Sequence, residues 1–318
     1  MAGPRACVDI GTNTVLMLCA QRAEAGTVRV LVERGAVTRL GQGVEASGRL
    51  DEAAVARTLA ALREQVAEAR AAGATRVAAV GTQALREAAN AQAFLGPAAE
   101  LLGEPVEIVS GEREAELSRR AVLESFPELA APGLSATLMD VGGGSTEFVV
   151  LRGGVAAFVR SLKLGSVRLT ERLVRADPPT VDEVRALRRV VREAVAEVPF
   201  AGTLVGIAGT LTTLAAVARG LASPEGALVH GVRLGRAEVE AVVARLAAMT
   251  VAQRRALAGM EAKRADVIVA GGCIVLGVLE ASGASEVLVS DRGVRWGRWY
   301  ELADGDVGAD ADDGGGAD

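Results

Sequence analysis

Histidine is almost absent from this sequence, lysine and cysteine are scarce, and each shortage narrows the chemistry open to the chain. His230 is the single histidine among 318 residues and precedes Gly231 at a strand or turn, so a histidine-based mechanism is not expected. The cysteines, Cys7, Cys19 and Cys273, are odd in number and lie within apolar runs. That pattern excludes a disulfide framework and suits reduced core thiols in a cytoplasmic protein. Lysine occurs only as Lys163 and Lys263, no basic run exists, and the net charge is −5; a nucleic-acid surface is therefore not expected. The longest apolar run, Val267 to Leu279, is broken by glycines and is too short to span a bilayer, so it reads as a buried helix. The N-terminus shows no basic segment followed by an apolar core, and neither a secretory signal nor a membrane partner is expected.

What the chain has instead is glycine in informative places. The stretch Thr137 to Leu151 holds an apolar run, Asp140, three glycines, Ser145, Thr146, Glu147 and a second apolar run. It reads as two strands joined by a loop whose backbone N–H groups can approach an anion closely, because glycine puts no side chain in the way. Two carboxylates beside such a cradle are what a hydrated divalent cation needs. A tight hairpin turn would use the same glycines. The motif, however, occurs twice: Ala6 to Cys19 repeats strand, Asp9, glycine, hydroxyls and strand, with Asp9 and Asp140 131 positions apart. Ala79-Val-Gly-Thr82 and Ile207-Ala-Gly-Thr210, each between a strand and a helix, lie 128 apart. Two landmarks at nearly equal offset argue for an internal duplication.

The periodicity predicts an α/β protein. In the first half, strands are expected at 6–10, 15–20, 28–33, 76–80 and 106–109, with helices at 51–72, at 82–94 and from Ser110. In the second, strands are expected at 137–141, 146–151, 155–161, 203–207 and 286–289, with helices near Ser166, after Thr180, at 234–249, 264–280 and 295–302. From Ala303 the composition turns to Asp, Gly and Ala without apolar period, which reads as a disordered acidic tail over 303–318. The duplication sets the expected domains at 1–128 and 129–302, the closing helix being free to pack back on the first.

Six motifs in order, Asp9-Ile-Gly-Thr-Asn-Thr14, Gly81-Thr-Gln-Ala-Leu-Arg-Glu-Ala-Ala-Asn90, Val109-Ser-Gly-Glu-Arg-Glu-Ala115, Asp140-Val-Gly-Gly-Gly-Ser-Thr-Glu147, Gly206-Ile-Ala-Gly-Thr210 and Ser290-Asp-Arg-Gly-Val-Arg295, resemble the exopolyphosphatase / guanosine pentaphosphate phosphohydrolase family. That family lies within the actin, sugar-kinase and heat-shock ATPase superfamily, and the resemblance covers about residues 5–302. It implies two duplicated ribonuclease H-like (actin-like) domains with an interdomain cleft. It also implies Mg-dependent hydrolysis of the terminal phosphoanhydride of inorganic polyphosphate, guanosine pentaphosphate, or both. Thr12 and Thr14 stand where the family more often has Ser, and Trp296 where an acidic residue is common. The chain resembles the short members without an extra helical domain, for which short polyphosphates are plausible substrates and a homodimer is an open option.

By the resemblance, Glu114 is the catalytic base that orients or deprotonates water. Asp140 and Glu147 are metal-associated carboxylates, with Asp9 contacting metal or water from the other domain; Mg2+ keeps waters and takes one or two carboxylates. Gly11, Thr12, Asn13, Gly142, Gly143, Gly144 and Ser145 would cradle phosphates. Thr82 and Arg86, four apart on a helix, share a face that suits one phosphate, and Gly209 and Thr210 present a helix N-terminus to an anion. Lys163, Arg168, Arg292 and Arg295 could line a polyanion path or simply lie on the surface. A phosphotransferase passing phosphate to a nucleotide, or a non-catalytic polyphosphate- or nucleotide-binding regulator, would use the same loops. The regulator would have no need of Glu114.

Overall fold

The structure is a computed structural model that describes residues 3–23, 27–222 and 226–309. The chain runs β1 (Arg5–Ile10), β2 (Thr14–Arg22), β3 (Val28–Val37), α1 (Val44–Ser47), α2 (Glu52–Ala71), β4 (Arg76–Gly81), α3 (Gln83–Glu87), α4 (Gln92–Leu102), β5 (Glu107–Ile108) and α5 (Gly111–Ser125). It continues β6 (Ser135–Val141), β7 (Thr146–Arg152), β8 (Val155–Leu162), α6 (Ser166–Leu173), α7 (Val181–Ala194), β9 (Thr203–Ile207), α8 (Ala208–Ala218) and α9 (Gly226–Val229). Then come β10 (Arg233–Gly235), α10 (Arg236–Ala247), α11 (Val251–Arg255), α12 (Ile268–Ser282), β11 (Glu286–Ser290) and α13 (Val294–Ala309).

Two sheets repeat one scheme. The first has strand order β3-β2-β1-β4-β5 and the second β10-β11-β9-β6-β7-β8. In each, an antiparallel meander of three strands (β1 to β3, β6 to β8) is joined by a parallel strand at its first member: Asp9 pairs with Val80, and Asp140 with Ile207. The expected duplication is therefore present in the hydrogen-bond ladders themselves.

The described residues form two compact units, one of residues up to Ser110 together with those from Val294 on, the other Gly111–Gly293. The change-over thus falls at Ser110/Gly111 rather than at the expected 128/129. Its cause is α5, whose Ala115 and Val122 bury with Leu138, Val149 and Leu151 of β6 and β7. In the first unit, Val8, Ile10, Val15 and Met17 pack with Val55, Leu62 and Val66 of α2 and with Phe94 of α4. The face of α13 joins them: Trp299 is fully buried and its indole N–H donates to the Arg5 and Ala20 carbonyls at 3.1 and 3.3 Å. In the second unit α12 is buried on every side from Ile268 to Leu279, as a helix apolar all round must be. Gly277 lets it close on α7, since a Cβ there would stand 2.4 Å from a Val191 methyl.

Local differences from expectation have local causes. The helix expected over 82–94 is two, α3 and α4, because the Asn90 side chain pairs with both polar groups of the Leu50 backbone, at 2.7 and 3.1 Å. The helix expected from 234 begins at Arg236, after β10 pairs Leu234 with Val287 of β11. Helix α13 continues to Ala309, so the stretch expected as a disordered tail from 303 is helical through 309; positions 310–318 lie outside the described residues.

Candidate active site

Both glycine loops close with the same bond. Gly11 N–H donates to the Thr14 carbonyl and Gly142 N–H to the Ser145 carbonyl, each at 3.0 Å. Behind each loop a threonine hydroxyl at the strand-to-helix turn donates to the end of the neighbouring strand that leads into the loop: Thr82 to Ile10 of β1 and Thr210 to Val141 of β6, each at 3.4 Å. The two units therefore hold their candidate phosphate loops by one recurring device.

The second loop is clamped further. The Ser166 N–H donates to the Gly142 carbonyl at 3.0 Å, the Val167 and Arg168 N–H groups to Gly143, and Arg168 Nε to Gly144 at 2.9 Å. With the carbonyls of 142–144 turned to α6, the planar trans peptides turn the N–H groups of Gly143, Gly144 and Ser145 the opposite way. That is an anion cradle made by backbone alone. Gly165 is required for it, because a Cβ there would lie 2.2 Å from the Gly143 carbonyl oxygen. Arg168, expected as one candidate for a polyanion path, is buried and braces the loop. Arg295 is likewise internal, its guanidinium on Glu33, while Arg292 reaches the Ser125 hydroxyl at 3.5 Å.

Three carboxylates gather beside the second loop. Asp140 and Glu147 are directly opposite one another on β6 and β7, a placement that costs energy when both are ionised. Glu114, in the first turn of α5, is only 7% exposed. Burial, then Glu114, then Asp140 push the Glu147 carboxyl well above the usual range, against hydrogen bonds from Ser161 and Ser145 that favour its anion. Asp140 accepts from Ser118 Oγ at 2.7 Å. Ser118 and Ser161 were not singled out from sequence, although Ser118 stands one turn after Glu114 and so had to share its face.

The donor set fits a hard divalent cation. Among the described residues no three His, Cys, Asp or Glu side chains enclose an ion, and magnesium asks for less: one or two carboxylates, with water and phosphate oxygens completing the shell. Half-buried Asp140 and buried Glu147 oppose one another among like charge and need either a proton or a cation between them.

Other expected site residues fall as follows. Thr82, Gly209 and Thr210 sit at the two strand-to-helix turns, Thr82 and Thr210 both buried. Arg86 is on α3 and its guanidinium donates to the Val109 carbonyl at 2.5 Å; Thr82 caps rather than enters that helix, so the shared-face argument holds only loosely. Asn13 is buried. Asp9 is the penultimate residue of β1, opposite Leu16, without the facing carboxylate that Asp140 has. A residue missed from sequence is Arg264: its guanidinium carbon lies 2.2 Å from where a Gly209 Cβ would be, laying a cation over the α8 N-terminus. Nothing in the sequence pattern around 264 pointed to that turn.

These elements together define a phosphoryl-handling α/β protein of duplicated, actin-like architecture. The model of the Ppx/GppA phosphatase family matches residues 20–305, and the chain belongs to that family. Exopolyphosphatase 2 of Mycobacterium tuberculosis is 38% identical, over 94% of this chain and 98% of the relative. The guanosine-5'-triphosphate,3'-diphosphate pyrophosphatase of Photobacterium profundum is 28% identical over 93% of this chain, which spans 59% of that protein. Among solved structures, an Aquifex aeolicus family member superposes with a TM-score of 0.79 at 33% identity, covering 95% of this chain and 98% of its own. An exopolyphosphatase from Cytophaga hutchinsonii gives 0.86 at 27% identity, covering 95% and 98%.

Proposed function

We propose that the chain is an exopolyphosphatase-type phosphohydrolase, releasing the terminal phosphate of inorganic polyphosphate with the help of a bound magnesium ion. The observation that carries this is the group of Glu114, Asp140 and Glu147, with both glutamates buried, beside a loop whose amides are turned outward by α6. Asp140 and Glu147 would hold the ion, which when bound neutralises phosphate charge. The N–H groups of Gly143, Gly144 and Ser145 and the α8 N-terminus take the oxygens of the terminal phosphate. Glu114 accepts a proton from water as the water oxygen bonds to phosphorus. The bond from that phosphorus to the bridging oxygen breaks, and the shortened chain leaves with the electron pair. Asp9, Gly11, Thr12, Asn13, Thr82 and Arg86 are assigned to further phosphate contacts on the first unit.

Guanosine pentaphosphate is a second substrate under this reading, supported by the pyrophosphatase relatives. Phosphate release with and without magnesium, measured side by side on tripolyphosphate, long polyphosphate and guanosine pentaphosphate, tests both. Release from none of the three would sink the hydrolase reading and leave a binding protein. A cytoplasmic location is proposed on the three buried, unpaired cysteines. No helix among the described residues is long and apolar enough to cross a membrane. A homodimer is proposed on the family resemblance alone, and light scattering checks it.

A further inference from the structure

Among the described residues only two that are not glycine hold a left-handed backbone, Arg39 at φ 57° and Ala208 at φ 72°. Both lie at the loops described above. Strain of this kind is kept where the surroundings over-determine it, and it gathers at working sites. Around Arg39 the surroundings are explicit: the N–H groups of Thr38 and Arg39 both donate to the Asn13 carbonyl, at 3.1 and 3.0 Å, and Gly41 N–H donates to Thr12 at 2.9 Å. Arg57 Nε holds the Thr38 carbonyl at 3.2 Å. The segment from Thr38 to Gly41 is thus laid on the first glycine loop and fixed there.

Two features of that segment ask for a ligand. Glycine would hold the same turn without steric cost, so the backbone has no need of an arginine. Asn13 and Thr38 are each 4% exposed, yet neither amide atom of Asn13 nor the Thr38 hydroxyl has a hydrogen-bond partner among the described residues. Buried polar groups are normally paired. We propose that Arg39 is a substrate-binding residue: its guanidinium takes phosphoryl oxygens of the polyphosphate chain, with Asn13 Nδ2 and Thr38 Oγ1 as companion donors. A guanidinium is suited to the task, since its fork of donors matches a phosphate bidentately. The inference rests on the phosphohydrolase reading for the identity of its ligand.

The test exploits the backbone. Arg39→Gly and Arg39→Asn both accept the left-handed conformation, so they remove the guanidinium and spare the turn. Each is expected to melt near the parent's temperature and to lose ~10–100-fold in kcat/KM for tripolyphosphate, mainly through KM. The salt dependence of kcat/KM should weaken with the lost charge, and Arg39→Lys should recover part of the loss. Calorimetric titration of tripolyphosphate into parent and Arg39→Gly keeps the question separate from turnover. A parent that binds more tightly without hydrolysing would sink the hydrolase reading and leave Arg39 standing. Equal affinity, or equal kcat/KM with an active parent, overturns the assignment of Arg39.

Discussion

The two glycine loops of this chain share a frame and differ in chemistry. Gly11 and Gly142 close their turns at the same distance, and Thr82 and Thr210 brace them with the same bond. Only the second loop is clamped by a helix N-terminus and flanked by Glu114, Asp140 and Glu147; across from Asp9 stands Leu16. Duplication supplied two loops on one frame, each with an aspartate near the end of its first strand, and side-chain divergence gave the second the two glutamates. Breaking that contrast is the most direct way to learn which loop reacts and which only holds.

The largest effect is expected from Glu114→Gln. A general base contributes ~100–10,000-fold, so kcat should fall by that order while tripolyphosphate affinity and melting temperature stay near the parent's. If the variant turned over at the parent rate, the reacting group would have to be sought elsewhere. A smaller loss is expected from Gly165→Ala, whose added methyl meets the Gly143 carbonyl at 2.2 Å. Crowding against backbone costs about 1–3 kcal/mol, and the displaced amides should raise KM as well. Thermal melts and steady-state kinetics read both. Unchanged kinetics would mean that the clamp on the second loop has no functional weight.

Much of this was legible beforehand, for definite reasons. The strands with their Asp-Gly ends, the repeat, and the carboxylates of Asp140 and Glu147 beside a glycine loop follow from local composition and spacing, and those are one-dimensional properties; Glu114 was singled out by the family resemblance alone. Ser118 at Asp140, Ser161 at Glu147 and Arg264 over Gly209 are pairings of residues distant in sequence, which spacing cannot report. The break between α3 and α4 was hidden because it depends on Leu50 bonding Asn90. The aligned turns also differ by one residue. Strand register equates Val80 with Ile207, leaving one residue before Thr82 but two before Thr210.

The carboxylates allow a pH experiment that separates the loops. Burial and like charge raise the Glu147 carboxyl, so the folded chain holds this proton more tightly than the unfolded one. The associated stability is complete below the unfolded pKa and is lost as pH rises through the folded value. In chelator, Glu147→Gln should therefore melt near the parent at low pH and above it near pH 8, on the order of 2–4 °C per kcal/mol relieved. Magnesium should narrow the gap by stabilising the parent alone. Asp9→Asn is the control from the first loop, where no carboxylate stands opposite. A gap independent of pH would mean that Glu147 is not held protonated by its neighbours.

The smallest effect concerns that extra residue. The strand-to-helix turn of the second unit takes it up by placing Ala208 in the left-handed region, whereas Thr82 in the first unit keeps φ −106°. The detour sets Gly209 against the Arg264 guanidinium, so the strain and the cation belong to one arrangement. Ala208→Gly removes the Cβ clash, worth roughly 1–2 kcal/mol for an L residue in this region, and gives part of it back through the freer unfolded chain. A net gain of about 0.5–1 kcal/mol is expected, seen as a small rise in melting temperature. If the strained turn is what aims the α8 N-terminus, KM for tripolyphosphate should rise slightly in the same variant, because glycine lets the turn relax. A stability gain with KM unchanged would show that the turn is merely tolerated, and that Arg264 alone fixes the position of Gly209.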